Sequence, residues 1–377
     1  MATALIRKST LAAILEVTYG VMPAMTGANV FSIWSTPNLN SNYDQVEDKT
    51  VRNTLSKWGT IRGAENVTGD ISFPFKGSGT AGTAPPSSVL WECGMGIKNT
   101  STASTTHGTT PCTTTSIVLV AAGGANFSVG DAVLIGGEVT WVTAKATDTL
   151  TVSPALTAAP GFGAAVGAGV HYKPSSAMKS FSARFWRGDI TREDYLGLVA
   201  ESLVLDFASG QIPAPKVTLL GQTRSAPVAQ TYAASGMGAV PTESASPLVA
   251  RNMVVTLGAV SYPVANIALD IKMDTYKRMA VTTSGVQEIL PTARAVTGSF
   301  SFLYSDKTID DVFLANTQIE LRIVCGSTAG NIFAARIPKM RYTDVPKSEE
   351  SGCYKYDVKF TSDPSNGEDE LTSMSWL

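Results

Sequence analysis

The chain has 377 residues, a formal net charge of −2 from 29 Lys+Arg against 31 Asp+Glu, and a mean hydropathy of +0.10. That balance excludes a polybasic nucleic-acid-binding face on the scale of the whole chain, and the apolar residues fall in short runs, none near the ~20 of a membrane helix. The length implies two or three domains, and a charged content of only 16% implies surface covered by partners.

In MATALIRKSTLAAILEVTYG, Arg7 and Lys8 precede an apolar run from Leu11 to Leu15 that Glu16 cuts off. The run is too short for a signal-peptide core, so synthesis in the cytosol is expected. From Phe31 to Gly59 the chain is long and polar with isolated aromatics, which predicts a protruding loop or hairpin arm carrying Trp34, Asn38, Asn40, Tyr43, Asp44 and Asp48.

VTGDISFPF then begins at Val67, and VTGSFSFLY at Val296 repeats five of its nine residues. Period-two alternation places Ile71, Phe73 and Phe75 on one strand face, and Phe300, Phe302 and Tyr304 on the equivalent one. Val67, Gly69, Phe73, Val296, Gly298 and Phe302 thus define a strand written twice. A short helix is expected after each copy. Ser87 or Ser88 can cap SSVLWECGM, and Ser305 or Asp306 can cap SDKTIDDVFLANT, whose Asp310 and Asp311 suit the first-turn dipole. FSARF at Phe181 is echoed by FAARI at Phe333, but at a shorter spacing, which points to a duplicated module whose first copy carries an insertion.

The inserted stretch opens with the Ser/Thr-rich linker STASTTHGTTPCTTT and continues with the β-patterned runs SIVLVAA, FSVGDAVLIGG, EVTWVTAKAT and DTLTVSPAL, each closed by turn residues. The expected plan is residues 1–102 plus 178–223 as a first module, 103–177 as an inserted small β-barrel or sandwich, 224–246 as a linker rich in Ala, Ser, Gly and Pro, and 247–377 as a second module. The fold class is mainly β: two tandem β-sandwich or barrel modules, each with one short helix, plus the small all-β insertion.

A search for chemistry assigns no catalytic, cofactor-binding or metal-binding residue. His107 reads as an exposed linker residue and His171 as a solvated or half-buried strand residue. No GxSxG, P-loop, HExxH or DxDxDG pattern is present. The acidic clusters Glu193-Asp194 and Glu368-Asp369-Glu370 read as solvated faces, and the glycine-rich GSGTAGTAPP and PGFGAAVGAG as loops. Cys93, Cys112, Cys325 and Cys353 lack CxxC spacing and read as buried thiols. Trp34, Trp58, Trp91, Trp141, Trp186 and Trp376 are dispersed and read as core or interface anchors. The chain is therefore expected not to be an enzyme. Two other classes compete with a structural building block: a secreted adhesin or glycan-binding multi-β protein, and a β-rich hydrolase.

The run GAENVTGDISFPFKGSGTAGTAPPSSVLWECGMG resembles the signature of tail tube proteins of long-tailed bacteriophages. The ending SNGEDELTSMSWL, with Asp369-Glu370-Leu371, is similar to the close of the same family, and FSVGDAVLIGG through HYKPSS resembles a small β-domain that members carry on the outside. The resemblance implies a virion tail protein, assembled in the host cytoplasm, whose rings stack into a hollow tube that passes DNA without holding it. It implies contacts with tape measure, tail terminator and distal tail proteins, no membrane and no cofactor. With two modules per chain, three chains would make a ring of pseudo-sixfold symmetry with a neutral or acidic lumen. The arm and the N-terminal segment would contact the next ring, and the insertion would be dispensable for the tube.

Overall fold

The computed structural model describes residues 5–51, 53, 56, 59–251, 253–279, 286–304, 307–364 and 371–377. The described chain is mainly β. The first module opens with β1 (Thr10–Leu15), β2 (Val30–Phe31), β3 (Asn40–Glu47) and β4 (Thr60–Ser72), followed by helix α1 (Ser88–Met95) and β5 (Gly96–Ser101). Six short strands follow: β6 (Ser104–Thr105), β7 (Ser116–Val118), β8 (Ala132–Ile135), β9 (Glu138–Ala146), β10 (Thr149–Ser153) and β11 (Ala165–Val166). These six form a sheet of their own with a separate core around Ile117, Phe127, Val142 and Leu150. The chain returns through β12 (Gly169–Pro174), β13 (Phe181–Arg187), β14 (Thr191–Ala208), β15 (Lys216–Gly221), β16 (Thr223–Arg224) and β17 (Val228–Ala229). The second module contains β18 (Val254–Leu257), β19 (Val260–Tyr262), β20 (Asn266–Met279), β21 (Val286–Leu303), helix α2 (Thr308–Leu314), β22 (Ile319–Cys325), β23 (Phe333–Asp344), β24 (Lys347–Glu350), β25 (Cys353–Ser362) and β26 (Ser373–Trp376).

Pairing repeats between the modules. In the first, β1 pairs β13, β13 pairs β14, β14 pairs β15, and β15 pairs β4, which forms a hairpin with β3. In the second, β18 pairs β22, β22 pairs β23, β23 pairs β25, and β25 pairs β21, which forms a hairpin with β20. The VTG strands β4 and β21 therefore hold equivalent places. The second expected echo does not: FSARF lies in β13, whose counterpart by pairing is β22, whereas FAARI lies in β23. Both strands run between two neighbours in a sandwich, and that shared burial requirement produces similar short sequences without common position.

Two strands fuse the modules. The last seven residues of β14 pair with β20, from Ser202 opposite Lys272 to Ala208 opposite Asn266. One sheet thus runs β3–β4–β15–β14–β20–β21–β25 through both modules. On the other layer, β26 lies between β23 and β12, and β12 pairs β5. The core is correspondingly continuous. Phe75, Trp91 and Phe207 of the first module pack with Phe333 and Trp376 of the second. The glycine-rich loop after Phe75 docks as well, with Gly77 N donating to Asn331 Oδ1 (2.7 Å) and Gly79 N to Gly330 O (3.0 Å).

The segment expected as a linker crosses the first module as ordered chain. β16 and β17 pair with the first half of β14, Met237 packs on Ala12, Val30 and Trp186, and Glu243 binds Lys76 and Ser32. Between α1 and β13 the chain adds β5 through β12, where the second module joins α2 to β22 directly. Helix α1 is almost wholly buried, whereas α2 buries only Ile309. Ser87 is the N-cap of α1, and its Oγ accepts from Trp91 Nε1 (3.2 Å). The expected caps Ser305 and Asp306 lie outside the described residues.

Candidate assembly surfaces

The residues singled out from the repeat pack as strand geometry requires. Val67, Ile71, Phe73 and Phe75 are fully buried, as are Val296, Phe300 and Phe302, while Tyr304 is 42% exposed. The repeated glycine has one physical cause in both copies. A Cβ on Gly69 would collide with the carbonyl oxygen of Asn38, and a Cβ on Gly298 with that of Ala268 and the ring of Phe360. By register Asn40 stands opposite Thr68 and Asp270 opposite Thr297, so Asn38 and Ala268 are counterparts.

The long sheet has one face on the core and one open. On the open face, between the buried residues of each strand, lie Asp70, Lys216, Asp206, Asp270, Lys272 and Asp357 with Ser, Thr and Ala. Carboxylates and ammonium groups pair there, Asp70 with Lys216 (2.7 Å) and Asp344 with Lys359 (3.2 Å). Burial pushes the Asp270 carboxyl above its ordinary range, with Lys272 opposing.

The six residues proposed for the arm are spread along one hairpin. Trp34 (48% exposed) precedes β3 and donates its N–H to Ser72 O; Asn38 N donates to Asp70 O. Asn40 opens β3, Tyr43 lies under the Arg62 guanidinium (3.9 Å), Asp44 abuts Gly63, and Asp48 accepts from Thr50 beyond the strand end. Trp58 lies outside the described residues. A second hairpin of the same kind, β20 with β21, escaped the sequence reading. Its signal is legible in NIALDIKMDTYKRM, where Ile267, Leu269, Ile271 and Met273 alternate before the run turns polar. The hairpins differ in exposure. Val46 and Ile61 on the first are 54% and 61% exposed, and their counterparts by register, Tyr276 and Leu290, are 59% and 37% exposed, but the second hairpin also buries Val286 and Ile289 against Val199 and Leu220.

Several polar residues differ from expectation. His171 is fully buried, because β12 is an interior strand between β5 and β26. Its Nε2 is 2.9 Å from Ser101 Oγ and its Nδ1 2.9 Å from Ser375 Oγ, which donates to Ser373, which donates to Gly130 O. Burial pushes the imidazole down to about 4. Asp131 binds Lys173 (2.7 Å) beside it, and Trp141 packs on Ile332, Ala334 and Leu377, so the six-stranded unit is clamped to the second module. Glu193 and Asp194 are buried rather than solvated, since Arg184 (2.8 Å) and Arg187 (2.8 Å) neutralise them; Glu368-Asp369-Glu370 lie outside the described residues. Cys93 and Cys325 are buried, Cys112 half-buried and Cys353 exposed; all four are free thiols. Trp91, Trp141, Trp186 and Trp376 are buried, as anchors should be.

Among the described residues no three His, Cys, Asp or Glu side chains converge as a metal site, and no helix is long and apolar enough to cross a membrane. A family model described as phage tail tube protein matches residues 6–370, nearly the whole chain. No curated protein matches the chain in sequence.

Proposed function

The chain belongs to the phage tail tube protein family, a family of virion structural proteins, and on that footing we propose that three chains form a ring and that rings stack into the conduit for DNA. The observation that carries this reading is the sheet shared by both modules. An interior seam between β14 and β20 gives one chain two equivalent wall segments, so three chains supply six. Heterologous contacts close into a ring when the rotation permits, and closure removes the free strand edges that would otherwise drive aggregation.

The open face of the sheet lines the bore in this arrangement. Its mixed carboxylates and ammonium groups suit a passage: a duplex carries one charge per roughly 1.7 Å, and a basic wall would retain it through phosphate contacts. The arm that carries β3 reaches the next ring, the six-stranded unit of 104–166 lies on the outside, and tape measure, terminator and distal tail proteins meet the ends of the tube. Electron microscopy of the purified protein tests the reading. Filaments whose cross-section shows threefold mass repetition with a sixfold inner wall are expected. A true sixfold of whole chains would overturn the trimer, and particles with no rings or filaments would overturn the tube.

A further inference from the structure

Building on the ring proposed above, we infer that the ring closes through a second copy of the seam already present inside the chain: residues 344–350 of one chain pair antiparallel with residues 36–42 of the next, Asp344 opposite Asn42 and Glu350 opposite Thr36.

The register follows from the pairings. Ile71 and Phe300 correspond through the repeat, and they pair with Val217 and Val358, so these two also correspond. Val217 stands opposite Leu203. The residue opposite Val358 is Val345, because Asp344 faces Lys359 and Pro346 O accepts from Asp357 N (3.0 Å). Residues 202–208 therefore correspond to 344–350. On the partner side, Asn40 corresponds to Asp270, so 36–42 correspond to 266–272. Within the chain 202–208 pair with 266–272. Their counterparts have no strand on their outer side among the described residues.

Both edges are suited to the contact. Main-chain groups alternate in direction along an antiparallel ladder. Pro346 O points at β25, so the missing N–H of that proline does not affect the outer side, where Val345, Lys347 and Glu349 face. Asn38 N points at β4, so Leu39 faces outward. Its carbonyl accepts from Arg187 Nη2 (3.1 Å) and Tyr195 OH (3.1 Å), a side-chain cap on a free edge. On pairing, the Lys347 N–H takes the place of one of these donors.

The apolar borders match too. Trp34, 48% exposed, corresponds to Val264, which is partly buried against the core. Beside the other edge, Leu303, Leu314 and Tyr354 are 57%, 79% and 71% exposed, whereas α1 is covered. One border of the chain therefore complements the other, and the occupant is a second copy of this chain.

The test is a disulfide across the seam in a Cys353→Ser background. Asn38 and Ser348 oppose each other at a non-hydrogen-bonded position, where side chains approach most closely. Asn38→Cys with Ser348→Cys should give, on oxidation of filaments, covalent dimers and trimers and nothing larger within a ring. Asn38→Cys with Glu350→Cys, out of register by two residues, should cross-link about tenfold more slowly, since its Cα atoms exceed disulfide reach. If the double variant does not assemble, an equal mixture of the two single variants should cross-link to dimers only. Filaments that cross-link equally in both registers, or not between chains at all, overturn the inference while leaving the tube intact. Absence of filaments from the unsubstituted chain overturns the tube itself.

Discussion

Phe75 and Phe333 meet edge to face with ring centroids 4.9 Å apart and an interplanar angle of 67°, although one lies after the first VTG strand and the other opens β23 of the second module. Trp91, Phe207 and Trp376 surround them. The duplicated halves therefore share a core.

Phe333→Ala should cost about 3–5 kcal/mol, the range for deleting a buried aromatic ring. Urea unfolding should remain a single transition displaced as a whole. Two transitions, only one of them displaced, would mean that the halves unfold independently.

Gly298→Ala places a methyl against the Ala268 carbonyl and the Phe360 ring, and Gly69→Ala one against the Asn38 carbonyl. Each should destabilise by about 1–3 kcal/mol through overpacking. Gly108, where a Cβ would meet nothing within 4 Å, is the control. Equal thermal shifts at 69, 298 and 108 would refute the close-approach explanation of the repeated glycine.

His171 gives the chain an acid-sensitive joint. Burial holds its folded pKa at about 4 against an ordinary 6.5, with Asp131 opposing and Lys173 reinforcing. As pH falls, the unfolded chain binds the proton first. The contribution is complete above about pH 6.5, is lost as pH drops toward 4, and changes no further below it. The loss is about 3 kcal/mol at most. Stability measured at pH 7 and 4.5 should fall less in His171→Gln than in the parent. An equal fall would place the acid sensitivity elsewhere.

The hairpin tip separates folding from stacking. Glu47 and Thr60 are paired partners, so replacing residues 48–59 by Asn-Gly closes the hairpin with a tight turn and keeps the sheet edge. Normal thermal stability with single rings and no filaments is expected by scattering and microscopy. Filaments of ordinary length would show that the tip is not the ring-to-ring contact.

Much of the plan was legible because strand burial has period two and hairpins leave turn residues behind. The repeat around Val67 and Val296 marked equivalent strands, and the Ser87 region marked the start of α1. Legibility failed where long-range pairing decided the outcome. His171 and the Glu193-Asp194 pair read as solvent-facing because nothing nearby in the chain shows that β26, or four arginines from β13, β14 and β16, will cover them. Cys353 and the β20–β21 hairpin were misjudged or missed for the same reason.

The amino-acid order by itself established a mainly β chain without a recognisable catalytic motif, and it pointed to a duplicated strand-and-helix unit with an interposed small β unit, because these depend on local periodicity and composition. Only the tertiary structure decided that the halves are welded by β14 with β20 and by β26, and that Val286 and Ile289 of the second hairpin pack against Val199 and Leu220. Those outcomes depend on which strands become neighbours, and backbone hydrogen bonding between strands carries little imprint of side-chain identity.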